Sequence, residues 1–261
     1  MRNGAINIAI KVARHAGQLI IRQLPRRDSI PVHEKANMDF ATEVDTAVER
    51  EIQRDLKRAF PDHAFLGEET GQTGKSPYLW VVDPLDGTSN FIHGIPHFSV
   101  SIALLDRGEP ILGVVFDPLR DELFSAEKGR GALLNDRRLR VGQRRELNSA
   151  LLLTGFAPRV RDQLATQLAI TGEFLANAED IRRSGSAALD LAWIACGRAD
   201  GYYETGVKPW DVAAGTLLVR EAGGQVTDYR GGNDFMQTGQ IVAANMHLAE
   251  VMRKTLSAHA D

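Results

Sequence analysis

The stretch "YLWVVDPLDGTSNFIHG", residues 78–94, begins as a buried strand and ends in two carboxylates. Residues 79–82 are all apolar, and three of the four are good strand formers. Asp83 and Asp86 then follow three residues apart, with Pro84 between them. A strand that crosses the core and ends in two negatively charged side chains indicates a candidate functional site at that end.

The residues after this strand suit a ligand-binding turn. Pro84 fixes φ and ends the hydrogen-bond ladder, and the glycine after Asp86 allows close approach of the backbone to a ligand. Asp83 and Asp86 can therefore face one point, with the Leu85 carbonyl turned toward it. Residues 87–89 offer successive N–H groups, which favour an anion. The alternative interpretation is that these are only turn residues.

Three further segments place carboxylates next to apolar segments. They are "FLGEET" (65–70), "KPWDVAAG" (208–215) and "MDFATEVD" (38–45). Their acidic residues are Glu68, Glu69, Asp211, Asp39, Glu43 and Asp45. Acidic residues at a helix start also occur as caps or as partners of the helix dipole, so each segment alone is a weak signal.

Taken together, these carboxylates predict a cation site. Two unit charges about 4 Å apart repel by about 4 kcal/mol at an effective dielectric constant of 20, so a cluster persists when a cation fills it. Oxygen ligands without matching histidine or cysteine suit Mg²⁺, which binds substrate phosphate alongside its waters. The spacing therefore favours a magnesium–phosphate site, although spacing alone does not bring the groups together.

Composition excludes several other classes of protein. The chain has 261 residues, 43% of them hydrophobic, and a formal net charge of −3, so there is no overall basic field for nucleic acid. Cys196 is the only cysteine, which excludes an internal disulfide and fits a reducing compartment. We expect it to be a small buried packing residue rather than a nucleophile. The N-terminal residues have helical periodicity interrupted by polar side chains, and no stretch approaches the ~20 apolar residues of a membrane span. We therefore expect a cytoplasmic protein.

The order of predicted elements favours an α/β protein of the α+β kind. Helices are predicted near the N-terminus and from Thr42 to Phe60, followed by strands up to about Val141. The hairpin "GRGALLNDRRLRV" lies in this region, and β and α segments alternate after it, with helices predicted from about Arg161 to Asn177 and from Ala249. We expect one unit over residues 1–261. If it has two lobes, they are 1–148, with the metal platform, and 149–261.

Longer motifs resemble those of a known family. "WVVDPLDGTSNFIHG" and "WDVAAGTLLVREAGG" are similar to the two signatures of the inositol monophosphatase family of Mg²⁺-dependent, lithium-sensitive sugar phosphatases. "GEE", "EKANMDFATEVD" and "IRRSGSAALDLAWIACGRADGYYE" match in the same order. The similarity extends from about Ile6 to Leu256 and looks closest to the bacterial branch.

The resemblance implies a layered α/β/α/β/α sandwich, a homodimer and two to three Mg²⁺ ions. The implied metal ligands are Glu68, Asp83, the Leu85 carbonyl, Asp86 and Asp211, with Asp45 supporting a weaker third ion. Glu69 and Thr88 would orient and deprotonate the attacking water, with Asp45 counted beside them. The implied substrate contacts are Glu68, Leu85, Asp86, Gly87, Thr88, Arg182, Gly185, Ser186, Ala187, Glu204 and Asp211. Lys35 matches a family lysine near the site.

The resemblance implies hydrolysis of a small polyol phosphate, with inositol monophosphate favoured. Fructose 1,6-bisphosphate, histidinol phosphate and 3′-phosphoadenosine nucleotides are alternatives, since relatives share the metal platform. A second hypothesis is a non-catalytic role with the transcription or RNA machinery, as suggested within the bacterial branch. Its support is the arginine-rich stretch "NDRRLRVGQRRE" (135–146) and the pair Arg182 and Arg183, although a solvated hairpin face is the simpler interpretation.

Overall fold

A computed structural model describes residues 4–36 and 39–259, without the side chains of residue 28 and residues 32–41. Its α-helices are α1 (Ala5–Gln23), α2 (Glu43–Ala59), α3 (Thr88–His93), α4 (Leu164–Asn177), α5 (Ala187–Ala195), α6 (Pro209–Glu221), α7 (Phe235–Thr238) and α8 (Met246–Ser257). Three 3₁₀ segments are Leu24–Ser29, Leu147–Ser149 and Pro158–Gln163.

The strands fall into three sheets. They are β1 (Val32–Ala36), β2 (Asp39–Thr42), β3 (Ala64–Gly67), β4 (Gly71–Thr73), β5 (Tyr78–Asp86), β6 (Ser99–Asp106), β7 (Glu109–Asp117), β8 (Glu122–Glu127), β9 (Gly131–Leu134), β10 (Arg137–Arg138), β11 (Leu151–Thr154), β12 (Asp180–Arg182), β13 (Gly201–Thr205), β14 (Gly224–Thr227) and β15 (Gln240–Asn245). β1 and β2 pair with each other as a small antiparallel ribbon.

The large sheet has eight strands in the order β10-β9-β8-β7-β6-β5-β3-β4. β3 and β5 are parallel, and every other neighbouring pair is antiparallel. The predicted hairpin is confirmed as β9–β10, with Asn135 and Asp136 at φ of 44° and 67° in its two-residue turn. Two successive left-handed residues match the twist of paired strands, and Asn and Asp tolerate that conformation.

The second sheet has five strands in the order β12-β11-β13-β15-β14. β11 runs parallel to both β12 and β13, whereas β15 is antiparallel to β13 and β14. The alternation predicted for the second half of the chain is therefore present, but it forms a mixed sheet. The parallel pairs come from strands that are joined through helices α4 and α5. β14 follows α6 and pairs with β15 in the antiparallel direction.

Three apolar clusters bind the helices and sheets into five layers. α1 and α2 pack on one face of the eight-stranded sheet, and α5 and α6 fill the space between the two sheets. α4 and α8 cover the outer face of the five-stranded sheet. The predicted α/β/α/β/α sandwich is confirmed by this arrangement. The division into lobes at residue 148 stays a prediction.

Helix boundaries follow local capping chemistry. α2 begins after Thr42, whose side chain accepts from the Val44 N–H, close to the predicted start. The last helix was expected from Ala249 but begins at Met246, because the Asn245 side chain accepts from two backbone N–H groups of its first turn. α4 starts later than the predicted Arg161, because a 3₁₀ segment occupies the residues before it.

Two other expectations concern reactivity and membranes. Burial raises the pKa of the Cys196 thiol, which keeps it protonated at neutral pH, as expected for a packing residue rather than a nucleophile. No helix in the described part of the chain is both long and apolar enough to cross a membrane.

Candidate active site

A cavity of about 170 Å³ lies where the end of β5 meets loops of the second sheet. Many of the residues predicted to form the site line it: Glu68, Asp83, Leu85, Asp86, Gly87, Thr88, Gly185, Ser186, Ala187, Glu204 and Asp211. They come from positions more than a hundred residues apart. The fold therefore brings the two signature segments to one place, while the role of each residue stays a prediction.

An irregularity in β5 turns both aspartates toward this cavity. Asp83 pairs with Ser101 and Asp86 pairs with Ser99, so β5 has one residue more than β6 between these pairs. Side chains alternate along a regular strand, so residues three apart would point to opposite faces. The extra residue, next to Pro84, allows both carboxylates to share one side. The Leu85 N–H donates to Asp83 Oδ1 at 3.0 Å.

The carboxylates of the cavity are buried together, which raises their pKa values. Burial raises the pKa of Asp83 well above its usual range, and the charges of Glu68, Asp86 and Asp211 raise it further. Burial also raises the pKa of Asp86 to about 7, even though the Ser186 hydroxyl and the Ala188 N–H oppose the shift. Without a cation, burial and mutual repulsion make the ionised form of these carboxylates unfavourable.

The start of α5 holds Asp86 in place. Ser186 Oγ donates to Asp86 Oδ2 at 2.5 Å, and the Ala188 N–H donates to the same oxygen at 2.8 Å. Ser186 is also the N-cap of α5 and accepts from the Leu189 N–H. One hydroxyl therefore joins the helix cap of the second half of the chain to the carboxylate of the first half.

Asp211 is held by an arginine that the sequence did not predict. Arg159 donates to Asp211 Oδ2 at 2.8 Å and, through Nε, to the Gly206 carbonyl at 2.5 Å. The Lys208 N–H donates to the same Asp211 oxygen at 2.8 Å. Burial raises the pKa of Asp211 to about 7, with Arg159 opposing the shift. Arg159 follows "LLLTGFAP", in a segment to which the family resemblance assigned no residue.

Thr88 joins the cavity to helix α2. Its hydroxyl lies 2.7 Å from Asp45 Oδ1 and 2.9 Å from the Leu85 carbonyl, and both oxygens can accept its proton. The other Asp45 oxygen accepts from the Thr42 N–H at 2.8 Å and from the Thr42 hydroxyl at 2.5 Å. Asp45 is 1% exposed and is not part of the cavity wall. It reaches the cavity through Thr88.

Two other predicted residues, Glu69 and Arg182, are not part of the cavity wall, and a third, Lys35, cannot be placed relative to it. Glu69 is partly buried beside it, and the hydroxyl predicted as its partner, that of Thr88, points to Asp45 instead. Arg182 is exposed and pairs with Asp180, whereas the next residue, Arg183, lines the cavity. The side chain of Lys35 lies outside the described residues.

The predicted polyol-facing residues include one further carboxylate, Glu204, which is partly buried. Burial raises the pKa of Glu204 to about 7, and the Tyr202 hydroxyl, which donates to it at 2.8 Å, opposes this shift. Asp190, which the sequence did not single out, also lines the cavity and accepts from the Ser184 hydroxyl at 2.5 Å. Sequence offered one signal for it, a charged residue within an otherwise apolar helix.

The donor set fits Mg²⁺ in its chemistry. Carboxylates and one backbone carbonyl are oxygen ligands. The charges of Glu68, Asp86 and Asp211, which add to burial in raising the pKa of Asp83, are ones that a divalent cation would offset. Among the side chains that the structure describes, however, no three acidic, histidine or cysteine groups are positioned to hold a metal ion together. The hydrogen bonds of Asp86 and Asp211 to Ser186 and Arg159 use one oxygen, Oδ2, of each carboxylate.

Sequence comparison agrees with the motifs. Residues 2–260 match the sequence model of the inositol monophosphatase family. The chain belongs to that family. Its members are generally Mg²⁺-dependent phosphatases. The Nus factor SuhB of Xylella fastidiosa is 49% identical over 262 residues, which cover 98% of this chain and 95% of that protein.

Structural comparison gives the same result. The extragenic suppressor protein suhB of Bartonella henselae is 41% identical, with a TM-score of 0.94 over 97% of this chain and 98% of that one. The inositol monophosphatase of Anabaena is 39% identical, with a TM-score of 0.86 over 97% of this chain and 95% of that one. The inositol monophosphatase fold, in a family of phosphatases, is therefore shown for this protein.

Proposed function

We propose that this protein hydrolyses a small polyol phosphate monoester, namely inositol monophosphate, with Mg²⁺ as cofactor. The observation that carries the proposal is the buried carboxylate cluster of Asp83, Asp86 and Asp211 with Glu68 at the cavity wall. Four acids around a cavity of about 170 Å³ need a cation, and a phosphate ester is an anion that binds where such cations bind.

Two to three Mg²⁺ ions would be held by Glu68, Asp83, the Leu85 carbonyl, Asp86 and Asp211, with Asp45 supporting the third. When bound, such ions polarise a phosphate, lower the pKa of bound water and stabilise the leaving alkoxide. Gly87 and Thr88, which line the cavity at the start of α3, would hold the phosphate.

Thr88 and Asp45 would handle the attacking water. The Thr88 oxygen can accept a hydrogen bond from water while its own proton faces Asp45 Oδ1 at 2.7 Å. This arrangement orients the water and gives its proton a route to a carboxylate. We therefore give Asp45 the role first expected of Glu69 in assisting Thr88. Glu69 is placed beside the site as part of the loop that carries Glu68.

The polyol would lie against the start of α5 and β13. Gly185, Ser186 and Ala187 line this side of the cavity, and Glu204 can accept from a substrate hydroxyl. Arg183, which lines the cavity, replaces Arg182 as the proposed basic contact. Hydroxyl contacts of this kind separate inositol monophosphate from fructose 1,6-bisphosphate, histidinol phosphate and 3′-phosphoadenosine nucleotides.

The test is phosphate release by the purified protein from these four substrates, with Mg²⁺ and with a chelator. We expect Mg²⁺-dependent turnover that is fastest on inositol monophosphate. If another ester is turned over faster, the proposed substrate is wrong but Mg²⁺-dependent phosphate hydrolysis is retained. If the folded protein releases no phosphate from any of them, the proposal is wrong.

A second candidate function is a role with the transcription machinery. It is favoured by the name of the Xylella fastidiosa relative, a Nus factor, at 49% identity. The chain also carries a basic surface, defined as Arg130, Arg137, Arg138, Arg140 and Arg220, around the β9–β10 hairpin. A pull-down from bacterial lysate with wild-type protein and an Asp83→Asn variant tests it. If the Asp83→Asn variant no longer binds the transcription machinery, the binding surface is not separate from the cavity and this proposal is wrong.

We also propose a cytoplasmic homodimer. Helix α4 exposes three leucines along one face, Leu164, Leu168 and Leu175, at 43%, 55% and 56%. Positions 0, 4 and 11 lie within one helical stripe, and exposed leucines in a row favour a protein partner. Light scattering of the eluted protein checks this, and a monomer that persists at high concentration would contradict it.

A further inference from the structure

Helix α2 carries two buried carboxylates on one face. Asp45 and Glu49 are four residues apart and therefore lie above one another on the helix. They are 1% and 0% exposed, respectively. Asp45 has a local explanation, because it completes the helix cap with Thr42. Glu49 lies beyond the first turn, where a capping role does not apply.

Glu49 accepts hydrogen bonds from the loop that carries Glu68. Its Oε2 accepts from the Glu69 N–H and its Oε1 accepts from the Thr70 N–H, both at 2.8 Å. These are charge-assisted hydrogen bonds to two successive backbone groups, which fix both the position and the orientation of the peptide. Such bonds also offset the cost of holding a carboxylate with no exposure to water.

Gly67 makes room for this contact. A Cβ atom at residue 67 would lie 2.3 to 2.5 Å from the carboxylate atoms of Glu49, which is too close for any side chain. On the other side, the Glu68 N–H donates to the Val82 carbonyl at 3.2 Å. Glu68 is therefore held between a bond to β5 and the two bonds to Glu49, and its side chain lines the cavity.

We propose that Glu49 is a positioning residue that holds Glu68 at the metal site. With Asp45 on Thr88 and Glu49 on the loop after β3, one face of α2 fixes two separate parts of the cavity wall. This inference rests on the proposed function, since Glu68 is taken as a metal ligand. Glu49 itself does not line the cavity and acts only through the loop.

The test compares Glu49→Gln and Glu49→Asp with a matched control, Glu221→Gln. Glu221 makes the same kind of contact, accepting from the Gly129 and Gly131 N–H groups at 2.7 Å each, but at the basic surface. Glutamine replaces one acceptor with a donor that faces an N–H. Aspartate keeps the charge, but its carboxylate is one methylene short of the loop, so it remains informative if the glutamine variant does not fold.

Two readouts separate positioning from a loss of stability. The Mg²⁺ concentration for half-maximal turnover should rise about tenfold in both Glu49 variants, as is typical when an outer partner of a metal ligand is lost. The substrate KM at saturating Mg²⁺ should change little. Calorimetric titration of Mg²⁺ into metal-free protein should show the same loss of affinity without any turnover, and Glu221→Gln should match wild type in both.

The outcomes are distinct. Folded Glu49 variants with wild-type Mg²⁺ affinity overturn the positioning role, and so does an equal shift in Glu221→Gln. If wild type binds Mg²⁺ but hydrolyses no phosphate ester, the proposed function is wrong, and the calorimetric comparison still decides the role of Glu49. A wild-type protein that binds no Mg²⁺ overturns both.

Discussion

The cavity and the basic surface are two concentrations of like charge that the fold treats in opposite ways. Asp83 and Asp86 are 2% and 8% exposed, whereas Arg137 and Arg138 on the hairpin are exposed. At 4 Å, two like charges repel by about 4 kcal/mol at an effective dielectric of 20 but by only about 1 kcal/mol in water. Repulsion is therefore large only where the charges are buried.

The difference shows how to judge a charged motif. Exposed arginines are solvated separately and need no partner, so their clustering is weak evidence of a site. A buried carboxylate keeps its charge only with hydrogen-bond donors or a cation, and in this cavity donors are in place at Ser186 and Arg159. We therefore expect substitutions in the cavity to change chemistry strongly and those on the basic surface to change it little.

The largest effect is expected for Asp83→Asn. Turnover should fall about a thousandfold or more, because the stabilisation that metal ions give the transition state amounts to several kcal/mol. The metal-free variant should also melt at a higher temperature than metal-free wild type, because one buried negative charge is removed. Phosphate release and thermal melts in chelator measure both. Near-wild-type turnover would remove the contrast between the two regions.

Removal of the Thr88 hydroxyl should have the next largest effect. Thr88→Ala should lower kcat about a hundredfold, since in the proposed mechanism this hydroxyl, bonded to Asp45, would orient the attacking water. Thr88→Ser retains the hydroxyl and is the matched control. Steady-state kinetics with both variants decide the point, and equal losses would mean that packing of the methyl group is what matters.

Arg144 belongs to the arginine-rich stretch but, unlike the hairpin arginines, it pairs with a buried carboxylate, so we expect its substitution to change stability. It donates to Asp200 at 2.9 Å, and Asp200 is 2% exposed. Arg144→Gln should lower the free energy of unfolding by about 1 kcal/mol, since the arginine is half exposed and a buried carboxylate loses one partner. Urea denaturation measures it. Charge reversal at Arg144 is consequently a poor probe of surface binding.

The smallest effect is expected for Arg137→Gln with Arg138→Gln on the hairpin. Turnover should remain close to wild type, and the free energy of unfolding should change by no more than about 0.5 kcal/mol, because these side chains are exposed. Retention on heparin should fall, since the positive field is reduced. If turnover falls as well, the basic surface takes part in the chemistry and the comparison between the two regions fails.

Local features of the fold were predictable because they depend on residues close in sequence. Thr42 caps α2, and the apolar run before Asp83 forms β5 as expected. The family motifs supplied the layered architecture and most of the cavity wall. Boundaries were less predictable where caps compete, as at Met246, since either of two neighbouring turns can begin a helix until packing selects one.

The sequence by itself determined which residue types the site would use and where its strands and helices would form. Tertiary structure decided which of Arg182 and Arg183 reaches the cavity, and that Asp45 rather than Glu69 meets Thr88. These contacts join residues 20 to 100 positions apart in the chain, such as Glu49 with Glu69 and Asp86 with Ser186. Periodicity and capping act over a few residues, so partners at such separations become neighbours only when the sheets and helices pack.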